Sequence, residues 1–208
     1  MSSNPRDPFQ DTPFAAAFAV RIVMSVDDIV DGYNYWTFSD IFEENYFPSE
    51  PFHGEFGMMN LYGIPKPVYR AFQQLRALGD RHVQVQGEHH TVAVWIGAGT
   101  GMTNALLINQ ALPRRPIDAE VVRVRLTHGR ERMPKGVTAR RIDEEHANPE
   151  RAWREMGEPE YLKSDQVTSL LAVSHTVPEP MSCTGQSGAL EIELTLAPQS
   201  VNHVQIEW

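Results

Sequence analysis

Four side chains near residue 40 have the types and the spacing to do chemistry. Trp36 lies in an aromatic run, and the carboxylates of Asp40, Glu43 and Glu44 follow it directly in the stretch YNYWTFSDIFEE. An aromatic face beside hydrogen-bond acceptors suits a sugar, because the sugar ring presents C–H groups that stack and hydroxyl groups that donate. The alternative is a core strand followed by a solvated acidic turn, and these residues alone leave both interpretations open.

Two carboxyl groups held about 5 to 5.5 Å apart can act as acid and nucleophile in retaining glycoside hydrolysis. Glu43 and Glu44 are adjacent in the sequence, so their side chains diverge in an extended loop. The spacing therefore favours binding of sugar hydroxyl groups over a matched catalytic pair, with Trp36 as the stacking ring.

Regular elements must position this stretch. Apolar residues at helical spacing predict a helix that starts at Pro13, after a cap at Asp11 or Thr12, and ends within residues 27–32. The run Tyr33 to Phe38 is apolar on both sides, which predicts a buried, parallel strand. A long connection rich in glycine and proline follows, and a second helix starts at Pro67. Helix, strand, functional loop and helix repeat in this order in (β/α) barrels.

The pattern changes at about residue 81. Short segments of alternating apolar and polar residues, separated by turns, predict an antiparallel β-sandwich. We expect one helix within it, capped by Asn148 and ended by Gly157. The sequence therefore predicts two domains, residues 1–80 and 81–208.

The bulk composition excludes several classes of partner. The chain has 208 residues, with 18 basic and 27 acidic residues and a formal charge of -9. We expect no nucleic acid and no membrane as partner, because both require clustered positive charge. Cys183 is the single cysteine and cannot form an internal disulfide. No signal peptide is evident, so the default expectation is a cytoplasmic protein.

Two further segments resemble ligand sites only in composition. Residues 141–149, RIDEEHANP, place four candidate metal ligands in consecutive positions, which point in different directions, so we interpret the segment as the start of a helix. The stretch GAGTG at 97–101 lacks the lysine and the following helix of a phosphate loop, and it predicts a hairpin turn. We therefore expect no metal and no cofactor.

With these residues assembled, the chain resembles the C-terminal part of glycoside hydrolase family 39, the retaining β-xylosidases and α-L-iduronidases. The resemblance runs through SNPRDPFQDTPFAAAF, DGYNYWTFSDIFEE, PFHGEFGMMNLYGIPKPVYRAF and RIDEEHANPERAWREMGEPEYL. It implies an α/β plus all-β fold class: the last helix-strand-helix unit of a (β/α)8 TIM barrel, followed by an antiparallel β-sandwich. It also implies that Tyr33 to Ser39 form the eighth barrel strand and that Trp36, Glu43 and Glu44 line the subsite of the cleaved sugar.

The family's two catalytic glutamates follow the fourth and seventh barrel strands, which match no part of this chain. The resemblance therefore implies no catalytic residue here, although it implies hydrolysis of terminal β-xylosides by an intact protein. The expected ligand is a xylo-oligosaccharide or other glycoside. We expect the isolated chain to be inactive, to leave the aromatic run without its neighbouring strands, and to associate with the missing barrel portion or a second copy. The alternative is a non-catalytic carbohydrate-binding or interaction module built on the sandwich.

Overall fold

Two helices flank the aromatic run, as the sequence predicts. The computed structural model describes residues 4, 6–41, 49–79, 81–128, 133–186 and 188–208. A 3₁₀ helix, Pro8–Asp11, leads into helix α1, Pro13–Val26, and helix α2 spans Pro67–Ala77. Both α1 and α2 begin with proline, since a missing N–H at the first position breaks no intrahelical hydrogen bond.

Nine strands follow in the described part of the chain, and they form two antiparallel sheets. The larger sheet has the order β1-β2-β3-β9-β5-β6, and the smaller has the order β4-β8-β7. This pairing confirms the predicted antiparallel arrangement. The strands are β1 (His82–Val83), β2 (Val92–Gly99), β3 (Met102–Asn109), β4 (Glu120–Thr127), β5 (Gly136–Ile142), β6 (Glu179–Pro180), β7 (Thr184–Gln186), β8 (Ala189–Leu196) and β9 (Ser200–Glu207).

An apolar core lies between the facing sides of the two sheets. Strand β8 shows how alternation builds it, because Leu190, Ile192 and Leu194 point inward while Glu191 and Glu193 are exposed. The buried members of this core are Ile96, Ala105, Leu107, Val124, Leu126, Val137, Ala139, Leu190, Ile192, Leu194, Leu196, Val204, Ile206 and Trp208.

The opposite side of the larger sheet is covered by α1 and α2. Ala16, Ala17 and Val20 of α1 share a second apolar cluster with strands β3, β5 and β9. The approach of α2 is close at Gly97, where an added Cβ would lie 1.9 Å from the carbonyl oxygen of Leu78. The predicted domain boundary between residues 80 and 81 stays a prediction, and the helices before it pack on the sheet after it.

Two short helices lie between β5 and β6. Helix α3, Pro149–Glu155, is capped by the side chain of Asn148 as predicted. Helix α4, Ser164–Val173, was not predicted, because the sequence places no Ser, Thr, Asp or Asn cap before it and its apolar residues cluster near its end. Both helices pack on the loop before α2 through Phe52, Ile64, Trp153 and Leu170.

The aromatic run does not form the predicted buried strand, and that prediction is wrong for this chain. Residues 32–35 have no assigned secondary structure, and Ser39 makes one parallel bridge to Met59. Trp36 and Phe38 are 65% and 66% exposed. A strand needs a hydrogen-bonded neighbour along its edge, and within the described residues the run pairs only with a loop.

None of the described helices is long and apolar enough to cross a bilayer.

Candidate functional site

The candidate segment comprises residues 36–44, and the structure describes it as far as Ile41. Residues 42–48, which include Glu43 and Glu44, lie outside the described part of the chain. The sugar-binding role of both glutamates therefore stays a prediction. Trp36 is 65% exposed, and the peptide bond between Trp36 and Thr37 is cis. The segment thus presents an accessible indole ring four residues before Asp40.

A loop holds the middle of the candidate segment in place. Four backbone hydrogen bonds of 2.8 to 3.1 Å join residues 37–40 to residues 56–59. Gly57 lies within this pairing, and a Cβ added there would lie 2.3 Å from the backbone nitrogen of Asp40. Real Cβ atoms do not approach other heavy atoms so closely, so a glycine at this position permits the two backbones to pair.

A buried group of charged side chains fixes Asp40. The Nζ atom of Lys66 lies 2.6 Å from Oδ1 of Asp11 and 2.7 Å from Oδ2 of Asp40. It also donates to Oδ1 of Asp40 at 2.9 Å and to the carbonyl oxygen of Glu55 at 2.8 Å. Lys66 is fully buried, and Asp11 and Asp40 are 2% and 1% exposed. We call Lys66, Asp11 and Asp40 the ion cluster.

The same carboxylates also accept backbone hydrogen bonds from the loop. The amide of Gly57 donates to Oδ1 of Asp40 at 2.8 Å, and the amide of Gly54 donates to Oδ2 of Asp11 at 2.6 Å. The ion cluster therefore ties together the 3₁₀ helix, the candidate segment, the loop and the start of α2. Satisfied hydrogen bonds of this kind are what a buried ion pair requires to offset its desolvation.

Burial changes the protonation of the ion cluster. Desolvation raises the pKa of Asp40 to about 6; the ammonium of Lys66 opposes the rise and the carboxylate of Asp11 adds to it. Desolvation alone would lower the pKa of Lys66, but the two carboxylates outweigh it, so the pKa is raised and the ammonium persists. Desolvation also raises the pKa of the Tyr35 hydroxyl, with smaller contributions from nearby negative charge.

Asp40 is positioned by the fold and is inaccessible to a ligand. The sequence suggested three carboxylates near residue 40 that could bind a sugar. Asp40 is only 1% exposed and therefore does not contact the sugar. Of the two residues predicted to cap α1, Thr12 occupies the cap position, and Asp11 binds Lys66 instead. Sequence reasoning missed Lys66, whose one unusual feature is its place between Pro65 and Pro67.

Residues 141–149, the other segment with candidate ligands, make hydrogen bonds to the chain's own backbone. Oδ1 of Asp143 accepts hydrogen bonds of 2.9 Å from the amides of Glu145 and His146, and it lies 2.7 Å from Nδ1 of His146. Asn148 then caps α3. Among the residues that the structure describes, no group of three or more histidine, cysteine, aspartate or glutamate side chains is placed to hold a metal ion.

Comparison with known proteins decides the family. The model of Glycosyl hydrolases family 39 matches residues 1–191, which is most of the chain. The chain belongs to this family. It is 40% identical to a beta-xylosidase from Caldicellulosiruptor saccharolyticus over 99% of its own length and 43% of that protein. It is 32% identical to a beta-xylosidase from Geobacillus stearothermophilus over 99% of its length and 40% of that protein.

Solved structures of the family resemble this family-39 chain over its whole described fold. The GH39 enzyme from Xanthomonas axonopodis pv. citri has a TM-score of 0.82 and 26% identity, covering 99% of this chain and 43% of that one. A GH39 beta-xylosidase from Caulobacter crescentus has a TM-score of 0.81 and 27% identity, covering 100% and 42%. The chain therefore spans less than half the length of the relatives it matches, and it shares with them a fold of helices and antiparallel sheets.

Proposed function

We propose that this family-39 chain is the C-terminal part of a retaining glycoside hydrolase that hydrolyses terminal β-xylosides. The observation that carries the proposal is the 40% identity to a beta-xylosidase, which extends over 99% of the chain. The exposed ring of Trp36, followed in the sequence by Glu43 and Glu44, agrees with a sugar-binding wall.

In this proposal the candidate segment is the end of the last strand of a (β/α)8 barrel. The order of α1, the aromatic run and α2 along the chain supports the assignment, because barrel strands alternate with helices. The two antiparallel sheets would be the accompanying β-sandwich. Neighbouring strands would cover Phe38 and Ile41, which are exposed here, and ligands bind at the C-terminal ends of barrel strands.

Each residue of the segment has a distinct part in binding. The indole of Trp36 stacks on the C–H face of a xylose ring, and the carboxylates of Glu43 and Glu44 accept hydrogen bonds from its hydroxyl groups. An acid/base glutamate and a nucleophile glutamate from other barrel strands carry out the two displacements that retain the anomeric configuration. The 208-residue chain supplies no catalytic group, so we expect it to be inactive alone.

Complementation tests whether this chain binds the sugar while the catalytic glutamates come from other barrel strands. The chain is co-expressed with the N-terminal portion of the Caldicellulosiruptor saccharolyticus beta-xylosidase that it does not match, and hydrolysis of an aryl β-xyloside is measured. We expect no hydrolysis by either piece alone and measurable hydrolysis by the pair, with β-xylose as the first product. Hydrolysis by the chain alone, or a purified complex of both pieces without activity, would contradict the proposal.

Two matched variants locate the contribution of this chain. In the active pair, Glu44→Gln should lower kcat/KM by about 10- to 100-fold, because a hydrogen bond to a charged group contributes about 1.5 to 3 kcal/mol. Glu191→Gln makes the same change on the exposed face of the smaller sheet, where the side chain is 52% exposed, and it should leave kcat/KM unchanged. Equal effects of the two variants on kcat/KM would show that Glu44 does not bind the sugar.

A further inference from the structure

Asp40 links the ion cluster directly to the candidate segment. Its side chain accepts hydrogen bonds from Lys66 and from the amide of Gly57, and its own amide donates to the carbonyl oxygen of Met59 at 2.8 Å. Trp36 lies four residues before Asp40. Because the backbone between the two residues is hydrogen-bonded to residues 56–59, a displacement of Asp40 bears on the placement of Trp36.

The ion cluster holds more negative than positive charge. It contains two carboxylates and one ammonium, so full ionisation leaves one buried negative charge without a counterion in the cluster. Among the residues that the structure describes, the titratable groups that face Asp40 are Lys66 at the start of α2, Asp11 of the 3₁₀ helix, His53 of the loop, where Glu55 lies beside it, and Tyr35 of the aromatic run. Protonation of Asp40 would remove the excess charge.

We propose that Asp40 is a positioning residue for sugar binding: Lys66 and Gly57 hold its carboxylate, and this contact sets the placement of Trp36. The inference rests on the proposed function, because it gives a role to the same segment. The described contacts support it, since each oxygen of the Asp40 carboxylate is bound by Lys66, and the neighbouring backbone is paired on both sides of Gly57.

The first consequence is a pH response at Trp36. Desolvation raises the pKa of Asp40 to about 6, so its contact with Lys66 changes strength over an accessible pH range. In the 208-residue chain labelled with 5-fluorotryptophan, ¹⁹F NMR should show four signals, of which Trp36→Phe identifies one. We expect the Trp36 signal to shift between pH 4.5 and pH 8 with a midpoint near pH 6.

The other three tryptophans provide internal references. Trp95 and Trp208 each lie 4.5 Å, between ring centroids, from a histidine, so Trp153 is the preferred reference. Trp153 packs on Phe52 and donates its indole N–H to the carbonyl oxygen of Pro159 at 3.0 Å. Its signal should therefore change little over the same range and report that the chain remains folded.

Two substitutions of equal chemistry separate positioning from general stabilisation. Asp40→Asn should abolish the pH response of Trp36. Asp11→Asn removes the same charge from the same partner, Lys66, and should retain the response but lower its midpoint by about one pH unit, because a neighbouring carboxylate raises a carboxyl pKa. His53→Gln should retain the response, with a midpoint at or slightly above pH 6, because His53 lowers the pKa of Asp40.

A Trp36 signal that titrates with the same midpoint in wild type and Asp40→Asn would overturn the proposal. An unchanged midpoint in Asp11→Asn would overturn it as well, and this second variant decides the matter if Asp40→Asn does not fold. Xylobiose is then titrated into the wild-type chain at pH 7. If xylobiose does not change the Trp36 signal, this chain does not bind the sugar by itself. The pH response is measured without sugar, so this result is separate from the test of the link between Asp40 and Trp36.

Discussion

The loop region before α2 is held by buried charge and backbone hydrogen bonds, whereas the two sheets are held by apolar side chains. In the loop region, Lys66 joins Asp11 and Asp40 in a site with no access to solvent. In the sheets, fourteen buried apolar residues share the core between the two layers. The difference implies that one substitution can release the loop region, while the sheets lose stability in proportion to the side chain removed.

Removal of the buried ammonium should have the largest effect. Lys66→Met leaves two carboxylates buried without their partner, and we expect the free energy of unfolding at pH 7 to fall by about 3 to 5 kcal/mol. Urea-induced unfolding followed by circular dichroism measures the change. The control is Lys135→Met, whose side chain is 62% exposed and whose loss should stay within about 0.5 kcal/mol. Similar losses in the two variants would show that the ion cluster does not stabilise the fold.

Truncation between the sheets should cost slightly less. Ile206 is fully buried in the core that the two sheets share, and Ile206→Ala should lower the free energy of unfolding by about 2 to 5 kcal/mol. Ile29→Ala removes the same atoms from a side chain that is 77% exposed. That control should unfold at nearly the wild-type urea concentration, and a loss as large as that of Ile206→Ala would contradict the assigned core.

The two regions should also respond to pH in opposite directions. His203 lies in the larger sheet, with Nε2 3.0 Å from Oδ1 of Asn104, and desolvation, assisted by Arg140, lowers its pKa to about 4. Burial favours the neutral ring, so this contribution to stability is present above pH 6.5 and is lost as the pH falls toward 4. Asp40 has a raised pKa, so its contribution is present at low pH and is lost as the pH rises through about 6.

Substitutions can separate these two opposing slopes. The pKa shifts of His203 and Asp40 each correspond to about 3 kcal/mol at most in the free energy of unfolding. In the wild type these two contributions have opposite pH dependence, so they partly cancel between pH 4 and pH 6.5. His203→Gln should leave a free energy of unfolding that falls as the pH rises over this range, and Asp40→Asn should leave one that increases. Urea titrations at half-unit pH intervals test both, and slopes of the same sign in the two variants would be contrary evidence.

The smallest effect is expected at the candidate sugar-binding ring. Trp36 is 65% exposed and Trp153 is 8% exposed. Trp36→Phe should change the free energy of unfolding by less than about 0.5 kcal/mol, while Trp153→Phe removes a buried ring contact and should cost about 1 to 3 kcal/mol. Thermal unfolding of the two variants measures this difference. A large loss at Trp36 would mean that its ring packs within this chain.

Local patterns allowed much of the secondary structure to be predicted. Proline at position 13 and at position 67 marked the starts of α1 and α2, Asn148 marked the start of α3, and period-two alternation after residue 81 indicated the region of antiparallel strands. These signals are local because caps, proline positions and alternating faces depend on neighbouring residues alone. Helix α4 lacks such a signal at its start, and it forms where Leu170 packs against Trp153 and Ile64.

The candidate site was only partly predictable. The residue types in YNYWTFSDIFEE indicated sugar binding, and the resemblance to family 39 named Trp36, Glu43 and Glu44. The buried role of Asp40 was not indicated, because its partners Lys66 and Asp11 lie 26 residues after it and 29 residues before it. No spacing rule for helices or strands brings such distant residues together.

The sequence by itself determined the helices beside the aromatic run, the alternating strands and the membership of a glycoside hydrolase family. Only the tertiary structure decided that Asp40 is buried, accepts a hydrogen bond from the amide of Gly57 and binds Lys66. It also decided that Trp36 is exposed. The physical reason is the range of the contacts involved. Caps and periodicity act within a few residues, whereas desolvation and pairing of charge depend on which distant segments meet.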